Sequence, residues 1–265
     1  MTQINFPFSN LIMSEEESLQ KILAKPSPQI FSVIDLFDNW ESQEAIDQSF
    51  AYMALAKQHT FTILTKRIDR MFTYIQCGGK QRIRRAVVDL GRKLNLNYEL
   101  YEPYETCQFE YPLLNVWLGV HVENQQATTQ IAYLKKTPAA VRFLNCEPLL
   151  ELIDLRAHLG ICVGCQTCDF QGNHRIAESK ISWVIIGGES GNNARPCELD
   201  WIRSIISQAK TANIPVFVKQ LGSNPIDNNE YIIDVATNNF SLRLKDPQGG
   251  DINEFPEELK IRQFP

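Results

Sequence analysis

The chain has no run of about 20 apolar residues, the length needed to cross a bilayer. Residues 1–14 carry no basic segment and no small-residue cleavage site, so they do not read as a signal peptide. The expectation is a cytoplasmic protein with no membrane partner. There is no excess of positive charge: the net charge is -5. That balance excludes a generally basic nucleic-acid binder and leaves room for a local basic patch. No internal repeat and no low-complexity tract occurs. Cysteine is absent before Cys77, although the chain holds seven in all. An odd number, with three crowded together, points to metal more than to disulfides in a reducing compartment.

What is present is an ordinary globular composition, 44% hydrophobic and 22% charged over 265 residues. Six short apolar runs stand out, at 30–36, 61–64, 116–120, 141–144, 183–186 and 216–218. Most lack polar alternation, the pattern of parallel strands buried on both faces. Amphipathic stretches lie between them. The segment 41–57 spaces Ile46, Phe50, Met53 and Ala54 helically, and 200–212 does so with Ile202, Ile205, Ile206 and Ala209. Strand and helix in alternation give βαβ units and a parallel sheet. The fold expected is α/β, a partial, open parallel β/α barrel of about six strands.

Residues 1–28 read as a helical lead-in, 29–222 as the partial barrel and 223–265 as an appendage packed on it. Ser14 and Glu17 make a capping box for a helix before the first strand. A parallel barrel more naturally starts with a strand, so its first unit is expected to be missing. Two connections, 67–114 and 151–180, are too long for simple crossovers. The first holds a helix-like segment at 79–94 and an irregular acidic-aromatic stretch at 98–111. The segment 241–245 alternates like a short strand.

Every apolar run ends in polar chemistry. Asp35 follows the first, Lys66 and Arg67 the second, His121 and Glu123 the third, Asn145 and Glu147 the fourth. Gly187, Gly188, Glu189 and Ser190 follow the fifth, and Lys219 and Gln220 the sixth. In α/β sheets and barrels the strand C-termini carry the site. Asp35, Lys66, Glu123, Glu147 and Lys219 are therefore the candidate catalytic residues. Gly187 and Gly188 let a backbone approach a ligand closely. Glu189 offers a carboxylate to an ammonium group or a ribose, Ser190 a hydroxyl, and Arg195 a fork for phosphate or carboxylate. All six strand-end charges are expected to face one cavity.

Cys162, Cys165 and Cys168 form a C-x-x-C-x-x-C run with His174 nearby, the candidate metal ligands. Zinc leads and an iron–sulfur cluster follows. The row Lys80, Arg82, Arg84, Arg85, Arg92 and Lys93 is a weaker signal for phosphate contact. Trp40, Trp117, Trp183 and Trp201 read as packing residues rather than stacking platforms.

Several motifs occur here in the order found in one family. They are Asp35-Leu36-Phe37, Thr65-Lys66-Arg67, Asn115-Val116-Trp117-Leu118-Gly119-Val120, Cys146-Glu147-Pro148-Leu149-Leu150, Gly187-Gly188-Glu189-Ser190-Gly191, Ala194-Arg195-Pro196 and Lys219-Gln220. The tail segments Lys245-Asp246-Pro247-Gln248-Gly249-Gly250-Asp251 and Phe255-Pro256-Glu257-Glu258-Leu259 continue it. The chain resembles the phage Gp-thirty-seven/Gp-sixty-eight family, a domain family of unknown function whose members look like radical S-adenosylmethionine proteins. The resemblance implies S-adenosylmethionine as a cofactor, with Glu189 toward its ammonium group. It also implies an N-terminal cysteine-rich cluster loop, for which this sequence has no cysteines. Three expectations follow: an enzyme whose first strand and cluster loop lie on a second chain, a non-catalytic ligand- or partner-binding descendant, or a zinc-stabilised nucleic-acid-associated protein.

Overall fold

The computed structural model describes residues 27–161, 180–227 and 242–265. The elements are β1 (Ile30–Ile34), α1 (Gln43–Leu55), β2 (Thr60–Thr65), α2 (Ile68–Gln76), α3 (Gly79–Lys93), α4 (Tyr98–Glu105) and β3 (Val116–His121). There follow α5 (Ile131–Lys136), β4 (Val141–Cys146), α6 (Arg156–Leu159), β5 (Trp183–Gly187), β6 (Cys197–Glu198), α7 (Leu199–Thr211), β7 (Val216–Gln220) and β8 (Pro225–Ile226).

One six-stranded sheet has the order β1-β2-β3-β4-β5-β7, and β6 and β8 make a separate two-stranded one. The β1/β2, β2/β3, β4/β5 and β5/β7 registers are parallel. Spatial order equal to chain order is the winding of a partial parallel β/α barrel, whereas a doubly wound sheet reverses direction at a switch point. All six apolar runs became these strands.

The chain divides into two compact units. Unit 1 comprises Met1–Val120 and Tyr133–Val141 and unit 2 comprises His121–Ala132 and Arg142–Pro265. In unit 1, Phe31 aligns with Phe61 and Phe61 with Val116, and both phenyl rings stack at 5.5 Å. The alternate face carries Ser32, Thr62 and Trp117 in register. Ser32 and Thr62 are buried too, and the Thr62 hydroxyl donates to the Phe31 carbonyl at 3.3 Å. That bond removes the cost of burying a hydroxyl. Helix α1 starts at the Ser42 cap, whose Oγ accepts from the Ala45 N–H at 3.0 Å. It buries Ile46, Phe50, Met53 and Ala54, the stripe that its spacing predicts.

The 98–111 stretch is a correction. Its first part is helix α4, capped by Asn97, which accepts from the Glu99 N–H at 3.2 Å. Pro103 reads as a breaker but sits inside the helix, costing it one N–H. The ring of Tyr104 compensates: it is buried, and its hydroxyl donates to the Ala54 carbonyl at 3.0 Å. Tertiary anchoring outweighs local propensity there. The connection also holds α2, which buries Ile68, Met71, Tyr74 and Ile75.

In unit 2, α7 buries Ile202, Ile205, Ile206 and Ala209 as expected. On β4 and β5, Phe143 aligns with Trp183, which is only 1% exposed. The C-terminal tail lies along β7, with an antiparallel bridge between Phe217 and Arg262. The Val218 N–H donates to the Ile261 carbonyl, and the Gln263 N–H to the Val216 carbonyl, both at 2.8 Å. Phe264 packs on Trp183 and Phe217. The tail thus satisfies the outer hydrogen-bonding edge of β7, which would otherwise be exposed. Of the segment expected to be a strand at 241–245, residues 242–245 are described and form none; the short pairing goes to β8 instead. Of the helical lead-in expected over 1–28, residues 1–26 lie outside the described residues.

Candidate functional site at the strand ends of unit 2

Strand β4 ends at Cys146, so Glu147 begins the loop beyond it. The loop is fixed at once: the Leu149 N–H donates to the Gly187 carbonyl at 2.8 Å and the Leu150 N–H to the Glu123 carbonyl at 3.1 Å. Asn145 Nδ2 donates to the Glu147 carbonyl at 3.2 Å. The Glu147 carboxylate is thereby aimed at the ends of β5 and β7.

What meets it there is set by a break in register. Ile186 aligns with Val218, but Gly187 aligns with Gln220. One extra residue on β7 therefore opposes one on β5, which is the geometry of a bulge. Neighbouring side chains on a regular strand point to opposite faces. Across this bulge Lys219 and Gln220 both reach Glu147. Lys219 Nζ donates to Oε1 and Oε2, each at 2.9 Å, and Gln220 Nε2 donates to Oε1 at 2.8 Å. Gln220 Nε2 also reaches the Gly188 carbonyl at 3.0 Å. The Glu147 side chain is 13% exposed and that of Lys219 37%. A carboxylate so enclosed needs its cation.

Gly187 makes room for this cluster. A Cβ there would lie 3.2 Å from both the Glu147 and the Gln220 Cγ atoms. Gly188 is more constrained still: a Cβ would come within 2.2 Å of the Leu221 carbonyl oxygen. The two glycines thus serve close chain crossing rather than a turn with positive φ. The crossing is tied by Gly188 N–H to the Gln220 carbonyl at 3.1 Å and Ser223 N–H to the Glu189 carbonyl at 2.8 Å.

Glu189 and Arg195 form a second cluster. The carboxylate accepts from Arg195 N–H at 2.9 Å, Nε at 2.6 Å and Nη2 at 2.9 Å. This fork holds Glu189 down to about 2, well below the ordinary carboxylate value. Both Glu189 oxygens are engaged by its own chain. Ser190 Oγ donates to the Gln248 carbonyl at 3.0 Å, binding this loop to the C-terminal segment. His121 Nδ1 and Glu123 Oε1 lie 3.9 Å apart at the end of β3. Buried Cys146 has its thiol pushed up to about 12 by burial, so it is no ready nucleophile.

Of the six strand-end charges, Asp35 and Lys66 belong to unit 1. Asp35 adopts φ +58° and closes a turn: its N–H donates to the Leu64 carbonyl and its carbonyl accepts from the Asp38 N–H. Lys66 is exposed. Within unit 2 the structure joins Glu147 to Lys219, while Glu189 turns to Arg195. Gln220, read from the sequence as a strand-end polar group but not as a candidate catalytic or binding residue, is the third member of the Glu147 cluster. Only the bulge brings it there, and no local sequence signal marks that bulge.

Other sequence expectations fare differently. The metal candidates Cys162, Cys165, Cys168 and His174 lie outside the described residues. Among the described residues no three His, Cys, Asp or Glu side chains group to hold a metal ion. Two residues of the basic row have partners within the chain. Arg82 turns inward to the Cys77 and Tyr74 carbonyls, at 2.7 and 2.5 Å, and Arg92 pairs with Glu105. Trp40 is a correction, since it is 75% exposed rather than packed. Its loop buries Leu36 and Phe37 instead, and Arg70 holds the Phe37, Asp38 and Glu41 carbonyls. No helix among the described residues is long and apolar enough to cross a membrane.

A family model described as a protein of unknown function (DUF5131) matches residues 3–250. No curated protein and no solved structure matches the chain.

Proposed function

The chain belongs to this family of unknown function, and from that premise we propose that its strand-end cluster in unit 2 binds a small zwitterionic ligand through Glu147 and Lys219. The observation that carries the reading is the Glu147–Lys219 couple, an enclosed carboxylate paired with a partly exposed ammonium group, beside a bare Gly187. An acid and an ammonium group held side by side match the two charges of an amino-acid end. A ligand of that kind exchanges partners with the couple, its ammonium taking Glu147 and its carboxylate taking Lys219. No buried charge is left alone during such an exchange, which keeps its desolvation cost low. Gln220 keeps Oε1 of Glu147 oriented throughout.

S-adenosylmethionine is the ligand we assign, on the strength of the motif resemblance to radical S-adenosylmethionine proteins of the phage type. We take Glu147 rather than Glu189 for its ammonium group because it is the more enclosed carboxylate, 13% against 30% exposed, each being paired with a cation of its own chain. When bound, S-adenosylmethionine supplies a sulfonium-activated carbon; the residues of this chain bind and orient its amino-acid end. Glu123, whose carbonyl accepts from the Leu150 N–H in the same unit, is assigned to the same strand-end function as an accessory polar group. Isothermal titration of wild type, Glu147→Gln and Lys219→Met with S-adenosylmethionine tests the reading. Binding by wild type and at least tenfold weaker binding by both variants is expected, about 1.4 kcal/mol or more. Equal binding, or none by the wild type, overturns it.

A second reading rests on Cys162, Cys165, Cys168 and His174, whose spacing suits zinc or, with a fourth cysteine, an iron–sulfur cluster. On that reading the protein is metal-stabilised and acts with nucleic acid, or with a second chain that supplies a first strand and cluster loop. Metal and sulfide analysis of protein purified anaerobically, alone and co-expressed with neighbouring short chains, decides it. One equivalent of zinc supports a structural site; metal-free protein in every preparation removes this reading.

A further inference from the structure

We propose that unit 1 carries a separate binding site, the cleft between α1 and α3, for a small dipolar molecule of the amino-acid or short-peptide class. Two helices packed side by side normally bury apolar side chains along the whole contact. Here the first turns of α1 offer Gln43, Glu44, Asp47 and Gln48, and α3 answers with Arg82, Arg85, Asp89 and Lys93. The α3 residues recur at three- and four-residue intervals, which puts them on one face. Ala86 lies among them and is too small to fill the gap. The outcome is an open cleft of about 500 Å³, within the range of small-molecule sites.

The charges of the cleft are divided between its walls. The α1 wall is acidic and the α3 wall largely basic. They do not simply close on one another. Asp47 Oδ1 accepts from the Tyr74 hydroxyl at 2.5 Å and stands 3.6 Å from Arg82 Nε. That nitrogen is buried and makes no hydrogen bond. Arg82 is held at its other end by the Tyr74 and Cys77 carbonyls, and its guanidinium lies 4.5 Å from the centre of the Tyr74 ring. The inner end of the cleft is therefore rigid. Farther out, Glu44, Arg85 and Asp89 are exposed.

The division of charge selects the ligand. A polyanion such as a nucleic-acid strand meets Glu44, Asp47 and Asp89, and a polyamine meets Arg85 and Lys93. A molecule carrying both signs a few ångströms apart meets neither repulsion. Its anionic end faces Arg85 and its cationic end Glu44, with charge-assisted hydrogen bonds to each. This site is independent of the Glu147–Lys219 cluster and stands or falls without it.

The test is a titration of ¹⁵N-labelled protein with the dipeptide lysyl-glutamate, following the backbone amides of Ala86 and Leu90. Spermidine and a short oligouridylate serve as single-sign controls. Saturable shifts with the dipeptide are expected, at a dissociation constant of about 1 mM or tighter. Arg85→Ala and Glu44→Ala, both exposed and checked by thermal melting, are each expected to weaken binding about fivefold. Absent shifts, shifts that both variants retain unchanged, or stronger binding of either control overturns the proposal. S-adenosylmethionine titration of Glu147→Gln remains the separate measure of the unit 2 site.

Discussion

The strand ends of unit 1 and unit 2 look alike in sequence and behave differently in the folded chain. After β1 and β2 the polar residues serve the loops: Asp35 closes a turn, Arg67 pairs with Asp69, and Lys66 is exposed. After β4, β5 and β7 they serve one another. Glu147, Lys219 and Gln220 share a carboxylate, and Glu189 and Arg195 share another. The difference lies in backbone approach. Unit 2 brings Gly187, Gly188, Gly222 and the 246–250 turn close enough to exclude a side chain, and its functional groups inherit that proximity. Polar groups at a strand end become a site only where chain crossing forces them together.

The largest test of this contrast is Gly188→Ala. Its Cβ has no space before the Leu221 carbonyl, a backbone atom that cannot swing aside. A loss of about 3 kcal/mol is expected by denaturant unfolding. A loss under about 1 kcal/mol would mean that the crossing is slack, and the contrast with unit 1 would weaken.

Next comes Lys219→Met, which leaves the enclosed Glu147 without its cation. Breaking a fully buried pair costs about 3–5 kcal/mol, and Lys219 is partly exposed, so about 1–2 kcal/mol is expected. Lys66→Met in unit 1 is the matched control, at under about 0.5 kcal/mol. Equal losses would erase the distinction. The double variant Glu147→Gln, Lys219→Met is expected to recover part of the loss, because no buried charge remains.

The smallest effect belongs to Glu189. Its folded value of about 2 lies below the ordinary 4.5, so the Arg195 fork favours the folded state above the ordinary value. That contribution fades as the pH falls from about 4.5 toward 2. Carboxyl ¹³C titration should follow the low value in wild type and move up toward the ordinary one in Arg195→Met. Water screens so open a pair, and the change in overall stability is expected to be slight. An unchanged Glu189 titration in Arg195→Met would remove the fork as the cause.

The sequence by itself determined the sheet. Six β-branched, aromatic-rich runs, most without polar alternation, pointed to strands buried on both faces, and each became a parallel strand in chain order. It also placed α1 and α7 by their 3.6-residue spacing and put chemistry at the strand ends. Tertiary structure alone decided which of those groups meet. The bulge between Ile186 and Gly187 leaves no mark in a local pattern, yet it turns Gln220 beside Lys219 onto Glu147. Pro103 hides α4 until Tyr104 is seen reaching the Ala54 carbonyl. Trp40 is as apolar as Trp183, yet one is 75% exposed and the other 1%. Periodicity records which face of an element is apolar. It does not record which residue, distant in sequence, comes to lie against it, and that second fact sets the partners of Glu147, Lys219 and Arg82.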